Sequence, residues 1–192
     1  MQLPSRSSLS ARALGLAGWK LETQVPDIDR CVVLATPHTS NWDGVLLLVI
    51  AGLIDHPLAW MIKDDWLRGP MGTVLRKLGA VGIDRRKHTN VVQAMIDELA
   101  RHDALWVVIP PEGTRKRAEH WKSGFYHIAR GAGVPLVPAY LDYARRRAGF
   151  GEPIELTGDV HADMNRVRAF YEGRAPQGFR PGDFGPIRLR EE

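Results

Sequence analysis

An α/β fold is predicted, a single-domain sandwich with a largely parallel central sheet flanked by helices. Three observations carry that expectation. Short β-branched or apolar runs alternate with helix-like segments along most of the chain. A length of 192 residues, 44% hydrophobic and 25% charged, suits one domain with a sizeable core. No internal repeat, heptad or low-complexity tract points to another architecture.

Residues 1–25 form an N-terminal amphipathic or packing segment. Leu14, Leu16, Trp19 and Leu21 stand among Arg12 and Lys20, a pattern that suits a short interfacial anchor and a helix packed on the domain equally well. Residues 26–192 form the main domain. Strands are expected at 32–35, 58–62, 80–83, 105–109 and 134–141, each apolar and bounded by turn or polar residues. Helices are expected between them at 45–54, 70–78, 90–101 and 124–130. In 90–101, Val91, Val92, Met95, Ile96 and Leu99 follow helical spacing with Asp97, Glu98 and Arg101 on the other side, so that helix covers the sheet. Val160, Met164, Val167 and Phe170 step at helical intervals, with Gly173 as the stop. The Gly- and Pro-rich tail wraps the surface.

A formal charge of +4 favours acidic partners such as phosphates or anionic headgroups. The single cysteine, Cys31, lies in the apolar run Cys31-Val32-Val33-Leu34 and has no internal partner, so a reducing compartment is the default. The apolar stretch 13–17 is too short for a secretory core. The run 45–53 is about half of the ~20 residues a spanning helix needs, so any membrane contact is peripheral. Seven histidines include no H-E-x-x-H pair, and no metal site is expected. No G-x-S-x-G elbow supports a hydrolase. No recognised motif supports nucleic-acid binding, and the run Arg145-Arg146-Arg147 motivates at most a non-catalytic basic lipid-binding module as an alternative.

His38 and Asp43 are five positions apart, roughly 140° around an ideal helix, so a bend is required for them to meet. Pro37 blocks helix upstream, Ser40 with Asp43 has capping-box spacing, and an apolar run begins at Val45. His38 is thus expected before a helix and Asp43 in its first turn. A carboxylate on one imidazole nitrogen fixes the tautomer and stabilises the imidazolium, which makes the pair a candidate general base. A second junction, Pro110-Pro111-Glu112-Gly113-Thr114-Arg115, follows the strand-like 105–109 at the end where α/β folds place ligands. Arg115 offers a planar fork to phosphate oxygens, Thr114 a hydroxyl, and Gly113 a close backbone approach.

With both motifs in this order, the chain resembles the glycerolipid acyltransferase family that includes bacterial 1-acyl-glycerol-3-phosphate acyltransferases. His38 and Asp43 match its H-x-x-x-x-D, and Glu112, Gly113, Thr114 and Arg115 match its E-G-T-R. Gly79 to Arg85 resembles the intermediate motif that ends in arginine, although Gly82 stands where a bulky aromatic is common. Val134-Pro135-Leu136-Val137-Pro138 resembles the final apolar-proline motif, and Lys63 a basic position near the phosphate site.

The resemblance implies acyl transfer from an acyl thioester, acyl-CoA or acyl-carrier protein, to the hydroxyl of a lysophospholipid such as 1-acyl-glycerol-3-phosphate. His38 is then the base, Asp43 its orienting partner, and Lys63, Arg85, Glu112, Gly113, Thr114 and Arg115 the substrate-binding set. No bound cofactor is implied. The expected place is cytoplasmic, peripheral on the inner face of the cell membrane. Another acceptor, for example an amino-acid-based lysolipid, is the enzymatic alternative.

Overall fold

The computed structural model describes residues 6–83 and 88–190. Its centre is a seven-stranded sheet in the order β1-β7-β6-β2-β5-β3-β4. The strands are β1 (Lys20–Leu21), β2 (Arg30–Thr36), β3 (Leu58–Lys63), β4 (Ala80–Ile83), β5 (Leu105–Ile109), β6 (Leu136–Asp142) and β7 (Arg147–Phe150). The helices are α1 (Arg6–Leu16), α2 (Trp42–Ile54), α3 (Gly69–Lys77), α4 (His88–Arg101), α5 (Gly124–Ala132) and α6 (Val160–Arg174). The mostly parallel α/β sandwich is the one expected from the alternation of apolar runs.

Alternation within β2 builds the two layers. Val32 and Leu34 face a core that contains Met95 and Leu99 of α4, Phe125 and Ile128 of α5, and Met164 and Val167 of α6. Cys31 and Val33 face the opposite core, with Leu46 and Ile50 of α2 and Leu14 of α1. Burial pushes the Cys31 thiol upward, as befits an inert packing residue.

Because both sheet faces are covered, β2 and β5 are buried almost throughout. The path from β2 crosses by α2 on one face towards β3, whereas the path from β5 crosses by α5 on the other face towards β6. These neighbouring strands therefore send their chains apart at their carboxyl ends, the position where open α/β sheets commonly place ligands.

The N-terminal residues divide between core and solvent. Leu14 and Trp19 are buried, while Leu16 is 91% exposed. On α2, Gly52 lies against Ser10, and the missing side chain lets α1 approach closely. Among the described residues no helix is long and apolar enough to cross a membrane.

Four elements depart from expectation. Strand β7 runs antiparallel to β6, pairing Ala139 with Phe150 and Asp142 with Arg147, and β1 pairs in parallel with β7. Helix α6 runs through Gly173 to Arg174 and ends on Ala175 in the left-handed region, φ 43. Helix α2 begins at Trp42 rather than near Val45. Its capping box is only half formed: the Ser40 amide donates to Asp43, but the Ser40 hydroxyl accepts from the Trp42 amide. The tail wraps the surface as expected, with Leu189 buried beside Trp121.

Candidate active site

Thr36 ends β2, and the chain turns through Pro37 before entering α2, which is the bend His38 and Asp43 require. His38 Nδ1 lies 3.1 Å from Asp43 Oδ2. The same oxygen accepts from the amides of Thr39, at 2.8 Å, and Ser40, at 2.9 Å. The other oxygen, Oδ1, accepts from the Tyr143 hydroxyl at 2.6 Å. Burial alone raises the Asp43 carboxyl, but hydrogen bonds from His38, Tyr143 and Ser40 outweigh it and hold the group below its usual range. Asp43 is therefore an ionised, fully engaged acceptor that keeps the His38 proton on Nδ1. No described residue donates to or accepts from Nε2, and the His38 side chain is 27% exposed.

The loop after β5 meets this one directly. The Arg115 guanidinium donates to the Asn41 side chain. Glu112 Oε1 accepts from the Thr36 hydroxyl and from the His38 amide, the latter at 3.1 Å. Glu112 is only 4% exposed, and Oε2 is buried with no hydrogen-bond partner among the described residues. Burial drives its carboxyl above the usual range, against the hydrogen bonds from Thr36 and His38. The side chain is thus a strut between the two loops.

Gly113 has φ 63, and a Cβ there meets the Lys122 side chain at 2.8 Å. Thr114 and Arg115 are exposed at the loop surface. Lys63 ends β3 and pairs with Asp65 in solvent. Arg85 lies outside the described residues, two positions beyond the end of β4. The carboxyl ends of β2, β5, β3 and β4 follow one another along a single sheet edge. At about 4.8 Å per strand, three spacings span roughly 14 Å from β2 to β4.

Gly82 carries a packing role. A Cβ there comes within 2.8 Å of Leu67 and runs into Asp64, both in the 3-10 turn Asp64–Leu67 that leads into α3. Leu46 and Leu67 are buried and Trp60 is half-buried, whereas Trp42 and Trp66 are 60% and 63% exposed.

Two contributors escaped the sequence reading. Tyr143 lies 100 positions from Asp43, in the turn after β6, where nothing in the pattern marks it. Arg180 lies in the tail and donates from Nε and Nη2 to the Thr39 carbonyl, at 3.0 and 2.6 Å. No group of three or more metal-ligating side chains occurs among the described residues.

The model of the acyltransferase family matches residues 20–142, a span that holds both loops. A Haemophilus influenzae 1-acyl-sn-glycerol-3-phosphate acyltransferase is 29% identical over 87% of this chain and 79% of its own. A Salmonella typhimurium protein of the same name is 27% identical over 66% of this chain, which spans about half of that relative's length, 54%. The crystal structure of the 1-acyl-sn-glycerophosphate acyltransferase from Thermotoga maritima superposes with a TM-score of 0.65 at 15% identity, covering 91% of this chain and 80% of that one.

Proposed function

This chain belongs to the acyltransferase family, and from that premise we propose that it moves an acyl group from a thioester to the hydroxyl of a lysophospholipid. The acceptor that fits best is 1-acyl-glycerol-3-phosphate, giving phosphatidate, and two relatives carry that activity in their names. The donor is acyl-CoA or acyl-carrier protein, and no bound cofactor is required.

The observation that carries the reading is the pair at 3.1 Å, with Asp43 saturated by hydrogen bonds and His38 Nε2 left for substrate. Nε2 takes the proton of the acceptor hydroxyl as that oxygen attacks the thioester carbonyl. The tetrahedral intermediate then collapses: the C–S bond breaks, the ester remains, and the departing thiolate receives the proton from the imidazolium. Asp43 offsets the imidazolium charge throughout. The Thr39 and Ser40 amides serve Asp43 and that of Trp42 serves Ser40. The amides of Asn41 and Asp43 at the start of α2 are the remaining candidates there for the oxyanion.

Arg115 and Thr114 supply donors for the acceptor phosphate beside the base, Lys63 extends the basic edge, and Arg85, which lies outside the described residues, completes the substrate-binding set that the resemblance implies. The Lys63–Asp65 pair is solvent-exposed on both sides, so exchanging its carboxylate for a phosphate costs little. Glu112 serves by position rather than contact. Peripheral attachment at the inner membrane face agrees with exposed Leu16, Trp42, Trp66 and Met71. Gly82 is the feature that favours a different acceptor, because the 3-10 turn fills the place of the family's frequent aromatic.

The test is a matrix of acyl thioesters against lysolipid acceptors with products identified by mass spectrometry. Phosphatidate formation that resists chelators and falls about 10²- to 10⁴-fold in His38→Ala is expected. Selective acylation of a phosphate-free lysolipid sinks the first acceptor, and full transfer by His38→Ala sinks the mechanism.

A further inference from the structure

The tail segment 176–184 lies beyond the 20–142 span that defines the family, yet it touches both active-site loops. Arg180 makes four connections there. Its amide donates to Thr39 Oγ1 at 3.2 Å, its guanidinium donates twice to the Thr39 carbonyl, and Nη2 also reaches the Arg115 carbonyl at 3.4 Å. Asp183 Oδ2, 3.0 Å from Nε, holds the guanidinium in that orientation. Thr39 is the residue between His38 and Ser40, is 1% exposed, and gives its own amide to Asp43. Arg180 and Asp43 therefore grip the two sides of one residue, and the residue before it bears the base.

The backbone of the segment is pressed onto this loop. A Cβ at Gly178 comes within 2.6 Å of Thr39 Oγ1 and 3.2 Å of Pro37 Cβ, so only glycine permits the approach. The neighbouring Gln177 carbonyl accepts from the Tyr143 amide at 2.8 Å. Tyr143 in turn donates to Asp43 Oδ1, and its ring is edged by Trp19 at 4.9 Å and Phe179 at 5.4 Å. The tail thus reaches the base by two routes, through Thr39 and through Tyr143 and Asp43.

We propose that segment 176–184 is a positioning strap for catalysis: Arg180 holds the loops after β2 and β5 in register, and through Tyr143 the strap fixes the carboxylate that aims His38. The inference rests on the acyl-transfer reading with His38 as base. Arg180 touches no reacting atom in this account. Its loss misaims the base without weakening acceptor binding, which separates it from an anion ligand that happens to stand near Arg115.

Steady-state transfer by wild type, Arg180→Ala, Arg180→Lys, Tyr143→Phe and His38→Ala tests this, with thermal melting of each. Arg180→Ala is expected to lower kcat about 10- to 100-fold, the scale of a small misplacement of a reacting group, while the acceptor KM stays within about threefold. Tyr143→Phe is expected to lower kcat about tenfold at unchanged KM, through loss of one charge-assisted hydrogen bond. Arg180→Lys, which keeps one donor, is expected between Arg180→Ala and wild type. Millimolar guanidinium is expected to restore part of the Arg180→Ala kcat. An Arg180→Ala protein with wild-type kcat and a tenfold higher acceptor KM overturns the proposal in favour of a substrate ligand. If Arg180→Ala does not fold, full kcat in both Arg180→Lys and Tyr143→Phe overturns it. Inactive His38→Ala beside fully active strap variants removes this inference alone, whereas active His38→Ala removes the underlying reading.

Discussion

Asp43 concentrates four donors on one carboxylate, so a substitution that keeps only its shape is expected to fail. Asp43→Asn places an NH₂ group among groups that all donate, so either His38 or its neighbours lose their acceptor. A loss of about 10²- to 10⁴-fold in kcat is expected, with the melting temperature of the variant as the control for folding. Glu112 behaves oppositely. Its burial raises the carboxyl, so the wild-type fold carries a cost that accrues as pH climbs from the unfolded carboxyl's value to the raised one and is complete once the buried group ionises. Glu112→Gln keeps an oxygen for Thr36 and the His38 amide. Urea unfolding is expected to show it increasingly more stable than wild type as pH rises, and a gap that closes with rising pH contradicts this. Asp163 has the ordinary sign. Burial opposes ionisation, but Thr157, Tyr126 and Arg166 hold the group down to about 2. Its contribution, roughly 2 kcal/mol, is complete above the unfolded value and is lost as pH falls towards 2; Asp163→Asn is expected to flatten that acid limb. The sequence made His38 and Asp43 legible because a proline, a cap and an apolar onset lie within nine residues. Tyr143 and Arg180 were not legible, since contacts 100 and 141 positions apart leave no periodicity.

The elements that strong periodicity marked are those found: α4 ends at Arg101 and β5 covers Leu105–Ile109, as its spacing and its flanks require. Strands β1 and β7 were invisible because two and four residues with an arginine and a glycine among them carry too little apolar signal. Gly149 in β7 has a reason no pattern reveals, namely that Tyr140 fills its side-chain space. At Gly173, local preference yielded to packing, since Tyr171 and Arg174 continue to find partners in the core and over Phe170. Gly82→Phe tests the turn 64–67, because the new ring must displace Asp64 and Leu67. A loss of about 1–3 kcal/mol in thermal or urea unfolding is expected, and an unchanged stability shows that the turn swings away freely. On α1, the buried and exposed leucines part company: Leu16→Asp is expected to weaken sedimentation with anionic vesicles without moving the melting temperature, whereas Leu14→Ala costs about 2–5 kcal/mol.

At the scale of the whole molecule, function follows from where the chain diverges. Neighbours β2 and β5 depart to opposite faces, so the loops bearing His38 and Arg115 meet at the carboxyl ends of the two strands and touch through Asn41 and Glu112. Strand order was not legible in the sequence, because β5 inserts between β2 and β3 only after two intervening strands have been laid down. That insertion is what brings the two motifs, 74 positions apart, together. In the proposed mechanism one loop removes a proton while the other holds an anionic group. The direct measurement is kcat/KM of wild type and Arg115→Ala on 1-acyl-glycerol-3-phosphate and on the same acylglycerol without its phosphate. The substitution is expected to cost about 100-fold on the first and almost nothing on the second, as befits loss of a charge-assisted phosphate contact. An equal loss on both acceptors contradicts the account.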